Sequence, residues 1–273
     1  ELIFYQRPNK KGKKISKNRL GLFSCNLIDS PFYKLQNSEK IHAKIVLLID
    51  FSSSMCFADF AEHNNLYNAL DFTRFIAKSL SVLNVDFSII GFSSIGLSKS
   101  EFHRMKSKNY VSCYPKIYEV MHDFGDKYSD SKIVDIMYQA YHRQLRTIDK
   151  TCIPCGSENN DGESVEYAEK YLIKNSKFND KKILFVLSDG QPSGPLNNYP
   201  GRCNTDILEE YLKYIIKKIK SETDIEIFGF GFGEAHSITE YYGEKNSIYA
   251  TNVKEIEEQF LKNLKNKLIK SLS

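Results

Sequence analysis

The chain has 273 residues, is 41% hydrophobic and 26% charged, and carries a formal charge of +4, a composition that leaves one α/β domain with insertions, or two smaller domains, each with ample core. With 38 Lys and Arg against 34 Asp and Glu, the overall balance gives no argument for a nucleic-acid or membrane partner. No apolar run approaches the roughly 18 residues that crossing a bilayer requires and no signal-peptide pattern opens the chain, so a cytoplasmic location is the expectation.

The first forty residues, 1–40, are read as a basic N-terminal extension. Lys10 to Arg19 holds six of the cations, and Leu20 to Phe23 is its expected anchor on a domain spanning 41–273. The chain begins at Glu1 rather than Met, which reads as a piece of a longer polypeptide. Six cysteines (Cys25, Cys56, Cys113, Cys152, Cys155, Cys203) lack the spacing of a small disulfide scaffold and are read as free thiols.

The domain opens with a continuous apolar run, Ile45 to Ile49, as a strand buried on both faces requires. It ends in Asp50-Phe51-Ser52-Ser53-Ser54, which puts a carboxylate and hydroxyls, the donors of a hard cation, at the carboxyl end of a central strand. Leu66 to Val82 follows at helix spacing, then a strand over Val85 to Phe92. Residues 96–154 form an insertion in which Ile117 to Phe124 and Ile133 to Leu145 both show helical periodicity.

A helix then begins at Asp161 or Gly162, with Val165, Ala168, Tyr171 and Leu172 turned inward; an acidic residue there also suits capping. Ile183 to Leu187 is a third buried strand, ended by Ser188-Asp189-Gly190. Leu196 to Cys203 is a Pro, Asn and Gly loop, Asp206 to Ile219 a helix, Ile225 to Phe232 a strand, and Val253 to Leu268 a last amphipathic helix. Alternating strand and helix predicts a mostly parallel sheet covered on both faces.

The Asp-x-Ser-x-Ser of Asp50, Ser52 and Ser54 after an apolar strand resembles the first motif of the metal-ion-dependent adhesion site of von Willebrand factor A (vWA) domains. Asn159-Asn160-Asp161-Gly162-Glu163-Ser164 and the stretch Ile183 to Pro192 resemble that site's remaining loops. Their wording is most similar to the C-terminal vWA domain of the cobaltochelatase subunit CobT. The likeness runs from about Asn18 to near the C-terminus and includes Tyr241-Tyr242.

The resemblance implies a Rossmann-like vWA fold with a helical insertion, and a divalent cation held by Asp50, Ser52, Ser54, Asp161 and Asp189. Mg²⁺, or another hard cation such as Mn²⁺ or Ca²⁺, suits oxygen donors and water; no His or Cys is needed, which argues against zinc. Adhesion-type sites offer Thr where this chain has Asp161, so three carboxylates around a dication leave a formal charge of about −1 and should capture an acidic partner less readily. The competing account is that these Asp and Ser residues only cap helices and turns.

No catalytic apparatus is read: there is no Walker motif and no nucleophile set against a base. CobT-type proteins work with a hexameric AAA+ ATPase and a large chelatase subunit to insert cobalt into a corrin ring. By that resemblance the chain is an accessory, non-catalytic subunit or adaptor joining a CobS/MoxR-like AAA+ ATPase to a client protein, with a homo-oligomer left open. The long acidic segment that precedes the vWA domain in CobT proteins is not visible, which weakens cobalt insertion in particular. The alternatives are a stand-alone Mg-dependent protein-binding module, or a nucleic-acid-associated vWA protein using Lys10 to Arg19. Cys152-Ile153-Pro154-Cys155 has no second ligand pair for zinc close in sequence, with Cys113 and Cys203 left open to approach in space, and Gly229, Gly231 and Gly233 lack the Lys-Ser/Thr of a phosphate loop.

Overall fold

The computed structural model describes residues 3–8, 14–15, 32–37, 42–56, 64–94, 116–148, 158–196, 199–203, 205–233, 235, 237–249 and 260. The chain divides into two compact units, 1–42 and 43–273. In the first, β1 (Ile3–Pro8), β2 (Lys14–Ile15) and β3 (Phe32–Asn37) form an antiparallel sheet in the order β1-β3-β2. The stretch expected as a basic extension therefore carries strands of its own. The expected anchor, Leu20 to Phe23, lies outside the described residues.

The second unit runs β4 (Ala43–Asp50), α1 (Ser53–Cys56), α2 (Asn65–Val82), β5 (Asp86–Ser94), β6 (Lys116–His122), α3 (Asp130–Ile148), α4 (Asp161–Asn175), β7 (Lys181–Ser188), β8 (Pro195–Leu196), β9 (Tyr199–Cys203), α5 (Thr205–Glu222), β10 (Ile225–Gly231), α6 (Ser237–Tyr242) and β11 (Ser247–Tyr249). Its six-stranded sheet has the order β11-β10-β7-β4-β5-β6 and is parallel except for β6, which runs antiparallel to β5. β4 and β7 lie at its centre, and both are apolar runs buried along nearly their whole length.

Period-two alternation sends neighbouring residues of each strand to opposite faces. On one face Val46, Leu48, Leu184, Val186, Ile90 and Phe92 pack with Val165, Ala168 and Leu172 of α4 and with Leu212, Ile215, Ile216 and Ile219 of α5. On the other, Phe230 meets Phe72 of α2 at 5.1 Å between ring centroids and Phe185 at 5.4 Å, and Phe72 meets Phe260 edge-on at 5.7 Å. The buried stripe of α2, from Leu66 to Leu80, is the one its 3.6-residue period predicts, and Asn64 caps it by accepting the Tyr67 amide at 2.9 Å.

Two readings are corrected. Ile117 to Phe124, expected as a helix, is strand β6 followed by a turn; backbone pairing with β5 prevails over an apolar spacing that a short run shares with helices. Leu196 to Cys203, expected as a plain loop, carries the hairpin β8–β9, with Pro195 opposite Cys203 and Leu196 opposite Tyr199. The second expected helix of the insertion is α3. The Cys152-Ile153-Pro154-Cys155 motif lies outside the described residues, and of the expected last helix only Phe260 is described, helical and buried.

Candidate metal centre

Three connections meet at the carboxyl edge of β4 and β7, and each delivers oxygen donors. Asp50 closes β4 and is fully buried. The Ser52 amide donates to its Oδ1 at 2.7 Å, and the Ser52 and Ser54 hydroxyls are 2.9 Å apart. The chain turns at once into α1, whose Met55 is buried.

Asp161 is the first residue of α4. The capping position belongs to Asn160, whose side chain makes no capping hydrogen bond, so the Asp161 carboxylate is not a helix cap. Its Oδ2 accepts the Ser188 hydroxyl at 3.1 Å, and its buried Oδ1 has no hydrogen-bond partner among the described residues. Asp189 follows β7; its carboxylate accepts the Gln191 amide at 3.3 Å and is hydrogen-bonded by Ser54. The turn behind it needs Gly190, whose φ of +80° disfavours a side chain, and the Ser237 hydroxyl donates to the Gly190 carbonyl at 2.6 Å. The five sequence-nominated side chains therefore stand together, linked from Asp161 through Ser188 to Asp50 and from Ser52 through Ser54 to Asp189.

Two contributors were not nominated although both lie inside the motifs. Ser188 has one hydroxyl proton to offer Asp161 and, at the looser 3.4 Å, Asp50, while it accepts the Gly190 amide at 3.1 Å. Asn159 donates from Nδ2 to Asp50 Oδ2 at 3.1 Å and to the Gln191 carbonyl at 2.9 Å. The available signal was their position, an Asn just before an acidic helix start and a Ser just before Asp-Gly.

Burial and mutual repulsion set the electrostatics. Burial, then the charges of Asp161 and Asp189, hold the Asp50 carboxyl well above its usual range. Burial, then Asp189, raises Asp161 to about 7, and burial raises Asp189. Among the described residues no Lys, Arg or His pairs with any of the three; nearby Glu163 of α4 already has Lys116 of β6 as its ion-pair partner. The same negative charge reaches the buried Tyr242, whose hydroxyl is raised first by burial and then by Asp161.

The donor set fits a hard dication. An orphaned carboxylate oxygen, buried charge with no cationic partner among the described residues and two adjacent hydroxyls are what such an ion would satisfy. Among the described residues no three His, Cys, Asp or Glu side chains are grouped closely enough to ligate one ion together, so an ion here would be held partly through the Ser hydroxyls and water.

Comparison with known proteins bears on the fold. The family described as the cobalamin biosynthesis protein CobT VWA domain matches residues 31–270. Among solved structures, the chain is similar to the PilB minor pilin from Streptococcus sanguinis (TM-score 0.56, 14% identity, 88% of this chain and 64% of that one) and to the pilus adhesin SpaC from Lactobacillus rhamnosus GG (0.53, 16%, 87% and 31%). It spans less than two thirds of either, and at these identities the likeness is one of fold. No curated protein sequence matches the chain.

Proposed function

Because this chain belongs to the family of CobT VWA domains, we propose that it binds a divalent cation, Mg²⁺ first, through Asp50, Ser52, Ser54, Asp161 and Asp189, with water bridging to part of this set, and acts as a non-catalytic adaptor between an AAA+ ATPase and a client protein. The observation that carries the metal half is the convergence of three carboxylates, from loops spread between residues 50 and 189, into a buried site where no cationic side chain among the described residues balances them. Burying even one unpaired carboxylate is costly, and three such groups within mutual reach are tolerated best when a dication is part of the folded state. When bound, the ion would supply Lewis-acid coordination to an oxygen donor of a partner.

Charge supports an adaptor over an adhesion module. A dication among three carboxylates leaves the site about −1, so an acidic side chain approaching as the last ligand meets repulsion that an adhesion-type site with Thr in place of Asp161 would not impose. A neutral oxygen donor suits it better. Family membership supports the ATPase partner.

Affinity capture on the immobilised chain, with Mg²⁺ or EDTA, tests the reading as a whole. Retention of an AAA+ ATPase that is lost both on chelation and with Asp50→Ala is the expected result. Equal retention under all conditions, or none under any, overturns it.

A further inference from the structure

We infer that Asn159 is the positioning residue of this centre, its side-chain amide holding the three donor loops in the register a cation needs. The inference rests on the metal reading above. Asn159 is 1% exposed and belongs to the second loop, yet its bonds run to the other two. Nδ2 holds Asp50 Oδ2 at 3.1 Å while the Ser52 amide holds Oδ1, so the first carboxylate is fixed at both oxygens. The second Nδ2 hydrogen goes to the Gln191 carbonyl at 2.9 Å, and Oδ1 accepts the Ser193 amide at 3.1 Å, an amide that the Asn159 backbone carbonyl also accepts at 2.8 Å. The third loop is thereby tied on both sides of Pro192. Asp161, two residues on, shares one of these two Nδ2 hydrogens.

These bonds need a primary amide. A carboxylate has no hydrogen to give Asp50 or Gln191, a hydroxyl has only one, and an apolar group has none. The amide also does its work before any ion arrives. Without a cation the three carboxylates repel one another, and with no Lys, Arg or His paired to them among the described residues the donors that hold them are neutral; the Asn159 amide donates to Asp50, shares a hydrogen with Asp161 and restrains the backbone that carries Asp189. A site organised in advance spends less of its binding energy on ordering its ligands, and losing an outer partner of this kind lowers metal affinity by roughly 10–100-fold.

Calorimetric titration of the whole chain with MgCl₂, for wild type, Asn159→Leu and Asn159→Ala, reads this directly, together with the melting temperature in EDTA and its rise on adding Mg²⁺. The expected result is a tenfold or greater loss of Mg²⁺ affinity in both variants and a shrunken Mg²⁺-dependent rise. Affinity within twofold of wild type, with only the melting temperature in EDTA lowered, makes Asn159 a packing residue and overturns the inference. A measurement on the wild type alone covers variants that fail to fold. The Asn159 side-chain NH₂ should exchange slowly in metal-free protein by NMR, and exchange as fast as that of an exposed amide overturns the inference. A wild type that takes up no Mg²⁺ overturns the metal reading itself, whatever the variants do.

Discussion

A carboxylate that is 2% exposed, leaves one oxygen without a partner among the described residues and faces two more carboxylates raises the free energy of the metal-free fold, and Asp161 is in that position. Replacing it by Asn keeps the shape and removes the charge. Asp161→Asn should therefore melt higher than wild type in EDTA yet bind Mg²⁺ at least tenfold more weakly, as paired melting and calorimetry would show; equal or higher affinity in the variant contradicts its role as a ligand. A second titratable residue bears on the far edge of the sheet. His122 ends β6, buried with its ring 4.6 Å from that of Phe87, and burial lowers its imidazole below the ordinary 6.5 despite the opposing pull of Asp126, Asp86 and Asp123, with Lys132 adding to the lowering. The unfolded chain takes up this proton as pH falls through 6.5 while the folded chain refuses it until lower, so the native state loses stability in that window and is unaffected above it. His122→Gln should remove this slope. The difference between wild-type and variant urea midpoints, measured from pH 7.5 down to about 5, isolates it from the carboxylates that titrate in the same range.

Between elements, the close approach of α6 to β10 depends on a missing side chain. A Cβ at Gly229 would stand 2.7 Å from Tyr242 Cε2 and closer still to Cδ2, and Tyr242 is among the largest fully buried side chains. Gly229→Ala should displace the ring and cost about 1–3 kcal/mol, the usual scale of overpacking, read from urea unfolding; a loss under about 0.5 kcal/mol would mean that Tyr242 repacks freely. Elements of this kind were legible where one physical signal dominated. The buried run Ile45 to Ile49 can be little else than a central strand, and the stripe from Leu66 to Leu80 covers a face only as a helix. β6 was not legible because Ile117, Val120, Met121 and Phe124 fall at helix spacing, and what makes them a strand is backbone pairing with β5, a partner that local periodicity does not carry. The site divides the same way. Asp50, Ser52, Ser54, Asp161 and Asp189 stand in motifs that name donors, whereas the value of Asn159 lies in bonds to residues 109 and 32 positions away, which exist only once the sheet has brought the loops together.

At the scale of the molecule, the donors sit on connections at the carboxyl edge while the packed core lies beneath them, and the sheet that carries Asp50 and Asp189 is the same one that both helical layers cover. An ion bound by these loops binds the folded chain and not the unfolded one, in which the donors are scattered from residue 50 to residue 189, so its binding free energy adds to global stability. At a hundredfold excess over the dissociation constant the gain is about 2.7 kcal/mol, and for a chain of this size each kcal/mol is worth roughly 2–4 °C. The melting temperature of the wild type should thus rise by about 5–10 °C between EDTA and saturating Mg²⁺, and by nothing in Asp50→Ala. Hydrogen exchange separates this from a general salt effect. Site-specific binding slows exchange in the connections after β4 and β7 and at the start of α4, and leaves the turn Lys177–Asp180 at the opposite, amino end of β7 unchanged, whereas screening of surface charge would alter both ends alike. A Mg²⁺-dependent rise that persists in Asp50→Ala, with uniform protection at both ends of the sheet, would place the ion elsewhere on the molecule.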